Sequence, residues 1–124
     1  MPKRTIGWLL DDADRAALLI RFPPIWPDVI AHHVTLVSHT DAPLPAETRG
    51  EVVGHVDDGA GLQALAVAIG GTSDRPDGSI YHITWSLDCA RGRRAVQSND
   101  VLRERGFRRL DTPIPIRLIP SELS

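Results

Sequence analysis

The chain has one cysteine, Cys89, among its 124 residues, so no disulfide can form within it. Aromatic residues make up only 5% of the sequence, which leaves Leu, Val, Ile and Ala to fill most of any core. Neither sign of charge dominates. Fourteen Lys and Arg stand against sixteen Asp and Glu, a formal net charge of -2, which argues against a broad basic surface for gripping duplex DNA. No apolar run approaches the about 20 residues that span a bilayer. The opening stretch passes from Leu9-Leu10 straight into Asp11-Asp12, without the apolar region of a signal peptide. A lone thiol and no targeting segment give the expectation of a cytoplasmic protein with no membrane partner.

What is present suits a single domain over residues 1–124, long enough to bury a real core. Residues 5–10 read as a strand. Asp11 or Asp12 can cap a helix that ends before Pro23-Pro24, with Ala13, Ala16, Ala17 and Ile20 as its apolar face. A connection follows, with Trp26 packed down; Trp8 and Trp26 both read as core. Strands are expected over 31–37, 51–56, 62–69 and 80–87. The turn signal Asp57-Asp58-Gly59-Ala60-Gly61 makes the middle two a hairpin. Ser98 can cap a short helix to about Arg105, closed by Gly106. Ile114, Ile116 and Leu118 form a last strand, where Pro115 suggests a sheet edge. The sum is an α+β domain with mostly antiparallel sheet.

Two triplets share one pattern: His33-Val34-Thr35 and His82-Ile83-Thr84. Each lies in an apolar, β-branched run, so each is placed on a strand, where period-two geometry sets the His and its Thr on one face about 7 Å apart. Two such pairs around one groove could surround a phosphate. Histidine, with an unperturbed pKa of about 6.5, can take a proton from an attacking oxygen or give one to a departing oxygen. Threonine hydroxyls can donate to the non-bridging oxygens. This scheme requires neither a cofactor nor a metal.

With Tyr81-His82-Ile83-Thr84-Trp85-Ser86 and His33-Val34-Thr35-Leu36, the sequence resembles the 2H phosphoesterase superfamily, named for its two His-x-Thr motifs. The resemblance implies a compact bilobal fold with pseudo-two-fold symmetry, each lobe offering one motif to a central groove. It also implies opening of a 2′,3′-cyclic phosphate on an RNA end or nucleotide, with His33 and His82 as the acid–base pair and Thr35 and Thr84 binding phosphate. Arg75 is a further candidate for substrate contact; Tyr81 and Trp85 are expected to pack in the core, and become candidates for substrate contact only at the groove mouth, where one could stack on a base. Two other readings stay open: a non-catalytic module binding RNA or nucleotide on the same scaffold, and a small metal-binding β protein.

The remaining chemistry-bearing residues read as structural or solvated. His32 is expected on the strand face opposite His33, and His39 and His55 in solvent. Arg91, Arg93 and Arg94 read as a solvated turn. Gly70-Gly71-Thr72-Ser73 lacks the lysine of a phosphate-binding P-loop, and Cys89 has no activating neighbour in the sequence.

Overall fold

The computed structural model describes residues 3–123. Strand β1 (Arg4–Leu10) leads into helix α1 (Asp12–Arg21), followed by β2 (Asp28–Val29), β3 (His33–Thr40), β4 (Arg49–Asp57), β5 (Leu62–Ala68) and β6 (His82–Leu87). Two single 3-10 turns then lead to helix α2 (Ser98–Arg105) and the long strand β7 (Arg108–Glu122). Every pairing is antiparallel. The order β2-β6-β3-β1-β7-β4-β5 closes through β5 and β6 into a six-stranded barrel, with β2 as a short addition along β6. Closure removes the exposed edges that an open sheet of this size would carry.

All six barrel strands send apolar side chains inward. Trp8, Leu10, Val34, Val52, Leu65, Val67, Ile83, Trp85, Ile116 and Leu118 form one buried cluster with Leu18 of α1. A second cluster lies outside the wall, where Leu62, Ala64 and Leu87 meet Val101 and Leu102 of α2. The hairpin of β4 and β5 turns through 58–61 as its composition predicts, with the Asp58 side chain accepting from the amides of Ala60 and Leu62.

Four expectations need correction. Asp11 does cap α1, accepting from the Asp14 amide at 3.0 Å. The buried side of α1, however, is not the alanine face. Ala13, Ala16 and Ala17 are exposed, as is Ile20 at 83%. The inward side carries Leu18 together with polar anchors: Asp14 accepts from the Arg117 amide at 2.7 Å, and Arg15 donates to the Ala31 carbonyl at 2.8 Å. Salt-bridged and backbone-bonded polar groups can face inward as well as alanines can, and apolar spacing does not register them. Second, Ser98 is the first residue of α2 and not its cap. A 3-10 turn over Ala95–Gln97 precedes it, and its hydroxyl is engaged elsewhere.

Third, the proline-bearing strand is not a sheet edge. Residues 108–117 of β7 pair with β4, and residues 118–122 pair with β1. Each half therefore has one unpaired side, which accommodates the missing amide of Pro115 and of Pro120 inside a closed barrel. Fourth, Trp26 is half-buried, not core. Its indole N–H donates to Asp57 at 2.9 Å, and the Arg91 guanidinium lies over its ring.

Candidate functional site

The two His-x-Thr triplets stand on neighbouring strands. Val34, fully buried, pairs with Ile83, also fully buried, and these are the central residues of the two triplets. Because β3 and β6 run antiparallel, a local two-fold axis passes through this pair. It sets each histidine toward the threonine end of the other strand. Val34 and Ile83 point into the barrel, so their flanking residues point out. There His33, Thr35, His82 and Thr84 line one groove of about 230 Å³, walled by Arg75, by Val96 of the 3-10 turn over Ala95–Gln97 and by Asn99 at the start of α2.

An irregularity places the first triplet. From Val29 to Val34 the chain uses five residues where the facing strand, from Ser86 to Ile83, uses three. The extra length is absorbed at Ala31, which adopts φ 49°, a left-handed conformation that costs a non-glycine residue energy. Ala31 is held there by its amide bond to the Thr84 carbonyl at 2.9 Å and by Arg15 on its own carbonyl. One consequence contradicts strict alternation. His32, just before β3 begins, does not turn away from His33. The two Nδ1 atoms are 3.1 Å apart and the rings meet edge to face.

The two motif histidines differ in their support. Nδ1 of His82 lies 2.9 Å from the Ile80 carbonyl. A carbonyl only accepts, so Nδ1 carries the proton, and in the neutral ring Nε2 keeps a lone pair. Burial holds the His82 pKa below the ordinary 6.5, against the raising effect of the Ile80 carbonyl; Arg75 and His33 lower it further. His33 is lowered by burial first and by His32 second. Its Nδ1 shares one proton with an imidazole that can also accept, so its tautomer is not locked.

The threonines differ in parallel. Thr35 is half-exposed, whereas Thr84 is 6% exposed. The Thr84 hydroxyl lies 2.9 Å from that of Ser98 and 3.4 Å from the Ala95 carbonyl. Ser98 is wholly buried and spends its hydroxyl on this contact.

Arg75 belongs to the groove by construction. Its loop is held by Asp77, which accepts from the Ser79 amide at 2.9 Å and the Ser79 hydroxyl at 2.6 Å. These bonds, with the Arg75 ion pair, hold the Asp77 carboxyl at a pKa of about 2. The Arg75 side chain, 10% exposed, donates to the Thr35 carbonyl, to Asn99 and twice to Asp77. A guanidinium has five N–H groups, so one on Nη1 stays without an acceptor among the described residues.

Tyr81 and Trp85 do not line the groove. Trp85 is fully buried inside the barrel, its indole N–H on the Phe22 carbonyl at 2.7 Å, and Tyr81 packs edge-on to Trp8. Of the other residues, Arg93 pairs with the buried Asp58, and Arg91 with Asp88. Cys89 is exposed, its thiol pushed up in pKa by Asp28. His55 is not a solvent residue: it is half-buried against Gln63 and Phe22. Among the described residues, no three His, Cys, Asp or Glu side chains gather as metal ligands would. No described helix is long and apolar enough to cross a membrane.

Sequence reasoning missed Ser98 and Asn99 as parts of the site. Both lie more than a dozen residues beyond the second motif, and only the return of α2 across β6 brings them in. Comparison with family models, with curated proteins and with solved structures finds no match for this chain.

Proposed function

We propose that the chain is a metal-independent phosphodiesterase of the 2H kind, opening a 2′,3′-cyclic phosphate on a nucleotide or an RNA end. The observation that carries this reading is the convergence of His33, Thr35, His82 and Thr84 on one groove around the Val34–Ile83 pair. The pseudo-symmetric two-lobed fold of that superfamily is read here in reduced form, as the local two-fold relation between β3 and β6.

In this reading His82 is the general base. Its proton is committed to the Ile80 carbonyl, and its lowered pKa keeps Nε2 free near neutral pH. It takes a proton from water as the water oxygen bonds to phosphorus. His33, protonated, gives its Nε2 proton to the departing ribose oxygen as the P–O bond breaks, while its Nδ1 proton rests on His32. Thr35 and the unmet N–H of Arg75 donate to the non-bridging oxygens, and Thr84 joins them by turning its one O–H from the Ala95 carbonyl to phosphate while accepting from Ser98. A cyclic phosphate fixes the direction of its leaving oxygen, which favours alignment with a rigid acid.

A substrate panel tests the proposal. Cyclic 2′,3′-mononucleotides and cyclic-ended RNA should be turned over in the presence of a chelator, and faster than a phosphomonoester. Absence of turnover on every cyclic 2′,3′-phosphate, or activity that returns only with an added divalent ion, would overturn it.

A further inference from the structure

Three arginines converge on the opposite side of the barrel. In the ring of strands, β7 and β4 lie across from β3 and β6. Between them and the end of α1 opens a cleft of about 250 Å³, lined by Arg21, Arg108, Arg109 and His55, with Phe22 in its wall and Asp111 at its rim. Arg21 is separated in sequence from the adjacent Arg108 and Arg109 by most of the chain, and barrel closure gathers them.

Seven of the thirteen arginines pair with no carboxylate among the described residues, Arg15, Arg49, Arg94 and Arg105 included, but only Arg21, Arg108 and Arg109 meet in this cleft. Arg4, Arg75, Arg91, Arg93, Arg103 and Arg117 each pair with a carboxylate. Among the described residues Arg21, Arg108 and Arg109 pair with none, although Asp111 lies at the same cleft. Two of them are held by aromatic faces instead. Arg21 lies over Phe22 at 5.7 Å and Arg109 over Phe107 at 5.5 Å. Stacking orients a guanidinium while leaving its N–H edge unspent. The Phe107 ring is itself seated on Gly54, where any Cβ would collide with it.

The walls are built firmly. Phe22 stacks on His55 with ring centres 5.5 Å apart and planes 12° from parallel. His55 is anchored from beneath by the buried amide of Gln63. The Gln63 oxygen accepts from the Ile25 amide and the Ser86 hydroxyl, and its nitrogen reaches the Pro23 carbonyl and Nε2 of His55. Those partners fix the amide, so Nε2 of His55 accepts and its proton sits on Nδ1. The rim is shaped by an irregularity. Pairing of β4 with β7 jumps from Val52–Ile114 to Gly54–Arg109, so that four residues of β7 face one of β4 beside the arginines, and Leu110 among them packs on the core. Bulges of this kind commonly re-aim side chains next to functional sites.

We propose that this cleft binds phosphate groups, either those of a free nucleotide or polyphosphate or those along a single-stranded nucleic acid. Unspent guanidinium forks on a chain of net charge -2 are a local anion trap, suited to bidentate phosphate contacts. The proposal is independent of the chemistry assigned to the His33–His82 groove.

The test is an NMR titration of the full ¹⁵N-labelled chain, once with inorganic pyrophosphate and once with a short oligoribonucleotide ending in a 3′-hydroxyl. Saturable shifts are expected at the amides of residues 108–111 and at the Arg21, Arg108 and Arg109 Nε–H groups. Response to pyrophosphate alone identifies free phosphates as the source, and response to the oligonucleotide identifies a strand. Arg108→Gln with Arg109→Gln should weaken binding at least about ten-fold, and Arg21→Gln alone provides a milder variant should that pair not fold. A His33→Ala/His82→Ala chain should bind at this cleft as the parent does. Shifts confined to the His33–His82 groove, cleft shifts that survive loss of the arginines, or no saturable shift with either probe would each overturn the proposal.

Discussion

The two His-x-Thr strands carry the same triplet in different settings. On β6, His82 is locked to the Ile80 carbonyl and Thr84 is buried against Ser98. On β3, His33 leans on another imidazole and Thr35 is half-exposed, its carbonyl reached by Arg75 and its hydroxyl without a partner among the described side-chain bonds. Local two-fold symmetry therefore does not make the motifs equivalent. The β6 triplet is preset in one tautomer, as a proton acceptor must be. The β3 triplet keeps its Nδ1 on His32 whichever of the two rings holds the shared proton, which leaves Nε2 as the proposed donor. The same three residues sit in different environments because the residues beneath and beside them differ, and the proposed division into base and acid rests on that difference.

Removing either histidine is the largest break. His82→Ala and His33→Ala should each lower kcat by about 10²–10⁴-fold, the usual worth of general acid–base catalysis. Circular dichroism should show the fold retained, since both rings flank the buried Val34–Ile83 pair without belonging to the core. Full activity in either variant would undo the assignment of roles.

The threonines sharpen the contrast. Thr35→Val should slow turnover with little loss of stability, because its hydroxyl has no protein partner among the described side-chain bonds. Ser98→Ala should do the reverse in part. It leaves the buried Thr84 hydroxyl short of a partner, costing about 1–3 kcal/mol of stability, and it lowers kcat by a smaller factor through loss of Thr84 orientation. Equal effects of Thr35→Val and Ser98→Ala on melting temperature would contradict the asymmetry.

The smallest effect is on pH. With His82 neutral and His33 protonated in the working form, kcat/KM should be bell-shaped. Both constants are held below 6.5 by burial, and for His33 also by His32. The maximum should therefore lie on the acid side of 6.5, with the acidic limb set chiefly by His82 and the alkaline limb chiefly by His33. His32→Ala removes one lowering influence on His33 only, so the alkaline limb should move up in pH and the acidic limb should stay. Movement of the acidic limb alone would reverse the assignment of acid and base.

Much of the fold was legible because it is local. The β4–β5 hairpin follows from its Asp-Gly turn, and the inward Ile83 and Trp85 follow from alternation along β6. The candidate groove was legible as two motifs, but not its walls. Arg75 could be named from its loop, whereas Asn99 and Ser98 enter only through the docking of α2. Alternation failed at His32 because the extra residues around Ala31 precede the strand. It did place Trp85 and Tyr81 in the core, where Trp85 is sealed inside the barrel and Tyr81 packs on Trp8. Proline at 115 spoke correctly of one unpaired side, yet a strand that changes partners along its length looks, in sequence, like an edge. The arginine cleft was invisible for the same reason as α2: its members meet only when the ring of strands closes.

The most direct measurement compares single-turnover hydrolysis of a 2′,3′-cyclic nucleotide by the parent chain, His33→Ala, His82→Ala and the double variant. If the two histidines act together on one phosphorus, their losses are strongly non-additive, as for other residues that work as a unit. The double variant should then be about as slow as the slower single variant. Losses that multiply in the double variant, or a parent chain that opens no cyclic phosphate, would contradict the account.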